Sequence, residues 1–187
     1  MKNKEAHFIF LDERLNQRFT DKLGLEVKQY IQNNPSAFDV LMDFYFSEDW
    51  LINQRTSWFL YHLLQEKEEL IHPYLAKIIE GLDSPPHVSY TRSATRIFQN
   101  IEIPEEYQGK LYDFASALIQ DIKEPTANKV FAMTMMYHIA LPFPELQEEL
   151  KMIIETQYPF EMPGYKSRTR KIIAQLNADK KKKLVKW

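Results

Sequence analysis

Apolar residues recur along the chain at steps of three and four, the spacing of one helix face. The pattern itself repeats every 37 residues. On that period Leu23, Leu60 and Ile97 fall in one column, and Val27, Leu64 and Ile101 in another. Phe38 aligns with Leu75, Leu41 with Ile78, and Met42 with Ile79. The later units drift by one or two residues, so that Ile97 matches Met135 and then Ile173. Small insertions at turns produce such a drift. Arg18, Arg55, Arg92, Lys129 and Lys166 stand on the same period. A fixed repeat of this size marks an array of helical hairpins stacked on one another.

Proline punctuates the array. It disfavours helix in the residue before it and is tolerated in a helix's first turn. Asn33-Asn34-Pro35, Asp83-Ser84-Pro85-Pro86, Glu124-Pro125 and Met162-Pro163-Gly164 therefore bracket helices. The pattern predicts helices over 18–33, 35–46, 49–66, 68–82, 87–101, 104–122, 126–141, 143–157 and 164–177. Ser47 is the expected cap of the helix opening near Asp49. Residues 1–16 are left open beyond a first turn over Asp12 to Gln17. No segment alternates as a strand does, so the fold class is all-α. The expected organisation is one α-solenoid domain over 1–178 and a basic tail over 179–187. Each helix is too short to be stable alone, so neighbours must cover one another's apolar faces.

Composition narrows this further. Four glycines among 187 residues are few for the turns of a β-sandwich or a dinucleotide fold, whereas ten prolines suit punctuated helices. Without cysteine, disulfides and thiolate metal sites are excluded. The N-terminal apolar run, Phe8 to Leu11, is too short for the core of a signal peptide. No stretch is long enough to span a bilayer. The chain is thus expected in the cytoplasm, without a membrane partner. Its net charge of −2 is uneven. Residues 165–187 hold nine Lys/Arg and one acid, Asp179, which leaves −10 on the rest. Such a terminus reads either as a basic arm for an anionic partner or as a solvated end.

The stretch Leu70-Ile71-His72-Pro73-Tyr74-Leu75, followed by Ile78-Ile79, Leu82-Asp83, Pro85-Pro86 and Arg92, resembles a HEAT repeat. Such repeats build armadillo-like α-solenoids, including small bacterial ones. The family's repeat has a proline in its first helix, a short Asp/Pro turn, and a basic residue opening its second helix. An Asp six residues before that basic residue commonly links neighbouring repeats. Asp12 with Arg18 and Asp49 with Arg55 match that spacing, while Pro86, Lys123 and Phe160 depart from it. The resemblance covers residues 18–177. It implies a right-handed α-α superhelix of about four to five repeats. It also implies a concave face lined by the helices at 18–33, 49–66, 87–101, 126–141 and 164–177.

Arg18, Arg55, Arg92, Arg96, Lys129, Arg168 and Arg170 form the candidate ladder on that face. Such a ladder either grips phosphates or an acidic peptide, or ties each repeat to acids and orphan carbonyls of the preceding one. Asp49, Glu48, Asp83, Asp121 and Glu124 are the acids placed for the second role. Trp50, Trp58, Phe59 and Tyr61 crowd one helix, and Trp58 shares a face with Tyr61 and His62. They read as binding anchors or as core filling with a polar tip at the edge. Met133, Met135 and Met136 have core spacing. The five histidines, His138 among them, show no metal-ligand spacing. Neither a nucleophile motif nor a glycine-rich phosphate loop is present, and no cofactor is expected.

The expected function is a non-catalytic interaction module that presents its concave face to a protein or peptide. The alternative is a nucleic-acid-binding protein similar to the HEAT-like DNA alkylation-repair glycosylases, without a matching catalytic Asp. Self-association through the Phe8–Leu11 run or Trp187 is a third reading.

Overall fold

A computed structural model describes the backbone of residues 2–184 and the side chains of residues 3–178. Among the described residues ten α-helices follow one another: α1 (Lys2–Leu15), α2 (Asp21–Asn33), α3 (Ala37–Tyr45), α4 (Trp50–Leu64), α5 (Leu75–Asp83), α6 (Tyr90–Phe98), α7 (Glu105–Gln120), α8 (Thr126–Ala140), α9 (Pro144–Gln157) and α10 (Pro163–Leu184). Short 3-10 segments cover Glu68–Tyr74 and Tyr158–Phe160. No strand occurs among the described residues. The helices pair into five hairpins, and the basic comb falls at or near the start of the second helix of each.

Local chemistry sets the boundaries. Thr20 caps α2 by accepting the Leu23 N–H at 3.2 Å. The cap of α4 is Asp49, not Ser47: its Oδ1 accepts from Leu51 N at 2.8 Å and Ile52 N at 3.3 Å. A carboxylate there also favours the helix dipole. Ser47 supports the turn by accepting from Asp49 N at 3.2 Å. The single helix expected over 68–82 divides into a 3-10 stretch and α5, because Pro73 has no N–H for an α-helical bond.

The chain forms two compact units, residues 1–101 and 102–187. In the first, α2, α4 and α6 pack in succession, and α1, α3 and α5 back them. In the second, α8 packs on α10, with α7 and α9 behind. The 37-residue columns are the core of these layers. Leu23, Leu60 and Ile97 are buried, as are Val27, Leu64 and Ile101, and the pairs Leu41–Ile78 and Met42–Ile79. Each such side chain contributes on the order of 1.5–3 kcal/mol by leaving water. In α10 the inward position belongs to Ile172, and Ile173 stays half-buried, so the drift there is one residue less than expected. Met133, Met135 and Met136 are fully buried.

Helix α1 extends well beyond the first turn expected over Asp12 to Gln17. His7, Leu11 and Leu15 lie one face apart and are buried. The His7 ring hydrogen-bonds Tyr30 Oη at 2.9 Å and Ser36 Oγ at 3.0 Å. Phe8 stacks on Phe44 and Phe10 on Tyr30. The expected tail over 179–187 continues α10 as backbone to Leu184. Val185, Lys186 and Trp187, with the side chains of Lys180 to Lys183, lie outside the described residues.

Candidate functional site

The ladder residues divide into those that tie helices together and those that do not. Arg55 ties: its Nη1 donates to Leu15 O, 2.9 Å away at the C-terminal end of α1. A helix end leaves such carbonyls without an intrahelical donor. In the second unit Lys129, 1% exposed, forms an ion pair with Glu161. Arg168 donates to Thr134 Oγ1 at 2.8 Å, and Arg170 to Tyr158 Oη at 3.0 Å. Lys166 donates to Pro159 O at 3.3 Å. Three of the acids expected to serve the comb work elsewhere. Asp49 caps α4, Glu124 accepts from Asn128, and Asp121 accepts from Lys123 N. Arg18 is exposed and precedes α2 instead of opening it.

A different group gathers on α4 and α6 of the first unit. Trp58 is 37% exposed, so its ring is surface and not core filling. The Arg96 guanidinium lies 3.9 Å from the Trp58 ring centroid and 5.8 Å from that of Tyr61. Burial, and then the neighbouring Arg92 charge, hold Arg96 below its ordinary pKa, with Tyr61 opposing. Phe19 also packs against Trp58, 5.5 Å away between centroids. Phe19 in turn stacks on His62 at 5.3 Å and packs edge-on against Phe59. The result is a row: Arg96, Trp58, Phe19, His62.

Gly24 is the residue that makes room for this row. A Cβ there would sit 3.0 Å from the Phe19 ring. The helix interior bears a cost of about 1 kcal/mol for that glycine. Beside Phe19 and His62 opens a cleft of about 340 Å³, lined also by Asp21, Gly24, Leu25, Lys28, Gln65 and Glu66. Lys28 and Glu66 of this lining form an ion pair.

Phe19 had no signal in the periodicity, because it lies before the helix that carries the pattern. Trp50, also singled out by sequence, is half exposed at the start of α4, and its carbonyl accepts from Ser89 Oγ at 3.3 Å. His138, one turn after Thr134 on α8, is held below its ordinary pKa by desolvation and by the Arg168 guanidinium. Among the described residues no group of His, Asp and Glu could hold a metal ion. No described helix is long and apolar enough to cross a membrane.

Helical hairpins with a cation at or near the start of each second helix define a repeat class of helical scaffolds. The chain is a member of the HEAT repeat domain family, whose model matches residues 11–176 in one stretch through both units. No curated protein and no solved structure matches the chain.

Proposed function

We propose that the protein is a non-catalytic cytoplasmic scaffold that binds a protein or peptide through the face of α2, α4 and α6, centred on the Trp58 row. The family supports this, since stacked repeats present extended faces for contact. The observation that carries the reading is the exposure of Trp58. A large aromatic side chain at a helix surface, packed against Arg96 and Phe19, suits the anchor of an interface. Nucleic acid draws less support. Arg55, Lys129 and Arg168 are engaged within the chain, and duplex binding relies on several phosphate contacts at once.

Peptide display from a random library on the intact chain tests the reading. Recovered peptides should bind the wild type and lose affinity by at least about tenfold against Trp58→Ala. Melting of the variant should shift by only a few degrees. Peptides that bind both forms equally would remove Trp58 from the interface. Duplex DNA binding with a steep salt dependence would replace the proposal with the nucleic-acid one.

A further inference from the structure

The second unit has a cleft of its own, and its chemistry differs from that of the Trp58 row. The comb cations of this unit stand on α8 and α10, whereas α7 and α9 carry seven Asp/Glu and two Lys. Between the first half of α7, the end of α8 and the start of α9 opens a cleft of about 330 Å³. Ile139, Phe143 and Leu146 give it an apolar lining, and Glu105 and Asp113 bring two carboxylates to it. Hydrogen bonds tie its walls. Tyr112 Oη donates to Leu146 O at 3.0 Å and joins α7 to α9. Gln147 Nε2 donates to Leu141 O at 2.8 Å and holds the turn between α8 and α9.

Neither Glu105 nor Asp113 pairs with a cation among the described residues. Glu105 suits the first turn of α7 through the helix dipole, but Asp113 stands in the middle of the helix, where that reason fails. Burial, and then the Glu149 and Asp113 carboxylates, push the Tyr112 hydroxyl up, so a negative field reaches the cleft wall. Such a field attracts a cation and repels a polyphosphate. The acids do not gather as metal ligands do among the described residues.

A long basic side chain matches both parts of the lining. Its aliphatic stem covers apolar surface while its charged head reaches a carboxylate. Arginine suits the place better than lysine, because a guanidinium also stacks on an aromatic face and the Phe143 ring is 39% exposed. Gly109 lines the same cleft from within α7. Glycine is a poor helix former, and a Cβ at this position would meet nothing within 4 Å. Packing within the chain therefore does not call for a glycine there, whereas a bare backbone permits the close approach of another chain.

We propose that the cleft between α7, α8 and α9 takes an arginine side chain from a basic segment of a partner protein, its guanidinium held by Asp113 and Glu105 and its stem lying along Ile139, Phe143 and Leu146. This contact is separate from the interface centred on Trp58 and does not depend on it.

The test uses the full chain and a rhodamine-labelled synthetic peptide in which two arginines flank a leucine between glycine and serine residues. A second peptide replaces the arginines by citrulline, which keeps their shape and removes their charge. Fluorescence anisotropy should show the arginine peptide binding below about 1 mM and at least about tenfold tighter than the citrulline one. The double variant Glu105→Gln, Asp113→Asn should weaken the arginine peptide by at least about tenfold. Gly109→Leu should weaken it as well while raising the melting temperature, so that lost binding cannot be ascribed to lost folding. Trp58→Ala should leave it unchanged. Equal binding of the two peptides, no arginine peptide binding below about 1 mM, or full binding by the double variant overturns the proposal. Salt-sensitive dimerisation of the chain that the double variant abolishes also overturns it, and gives the cleft to the basic stretch 165–187 of a second copy. None of these results touches the Trp58 interface, which fails only on its own library test.

Discussion

The comb of cations occurs in both units, yet its members do different work in each. In residues 102–187, Lys129, Lys166, Arg168 and Arg170 all find partners on neighbouring helices or turns. In residues 1–101, Arg55 does the same for α1, while Arg96 lies on an exposed tryptophan and Arg92 beside it has no acid among the described residues. The period places a cation at or near the start of the second helix of each hairpin. Its role is then set by the groups that the adjacent loop supplies. The turn before α10 offers Glu161 and Tyr158, whereas the corresponding neighbourhood of α6 offers the aromatic rings of α4. A repeat motif therefore fixes position without fixing role.

The largest expected effect tests the second unit. Glu161→Ala leaves the Lys129 ammonium buried without its counter-charge and should cost about 3–5 kcal/mol in urea unfolding. A loss below about 1 kcal/mol would mean that Lys129 reaches water once released. In the first unit, Leu60→Ala should cost about 2–5 kcal/mol, since Leu60 is fully buried in the column shared with Leu23 and Ile97. The contrast between comb members comes next. Arg55→Ala should cost about 1–3 kcal/mol through the lost bond to Leu15 O, and Arg92→Ala no more than about 0.5 kcal/mol. Similar losses at the two positions would erase the difference between a tying cation and a surface one.

The smallest effect is a pH dependence. His138 is neutral by preference in the folded chain, because desolvation and Arg168 hold its pKa below 6.5. Its contribution to stability is then complete above the unfolded value and is lost as pH falls through the folded one. Thermal melts between neutrality and mild acid should decline less steeply in His138→Gln than in the wild type. Equal slopes would show that His138 titrates alike in both states.

The repeat, the helix order and the buried columns could be read from the residues alone, because packing of one face imposes a 3.6-residue period on the sequence. The fate of each cation could not. Glu161 lies far from Lys129 in sequence and stands in an irregular turn, where no period operates. Asp121 and Glu124, which are nearer, proved to serve their own turn. Trp58 precedes Phe59 and Leu60 in an apolar run whose members point in successive directions, so apolar character could not show which one faces water. Burial chose Phe59 and Leu60. Helix α1 was hidden for a related reason. Its inward stripe begins with a histidine, His7, and the conspicuous run Phe8 to Leu11 straddles the exposed and buried faces. A search for the spacing of His7, Leu11 and Leu15 would have found it.

That first helix has a practical consequence. The family match begins at residue 11, inside α1. Yet the ring of His7 joins Tyr30 to Ser36, and the last carbonyl of α1 receives Arg55. A shortened version trimmed to the boundary that similarity suggests would cut a helix in two. It would remove the imidazole that joins Tyr30 to Ser36 and the rings of Phe8 and Phe10 that stack on Phe44 and Tyr30. Boundaries for expressing this protein are better drawn from its hydrogen bonds than from its kinship.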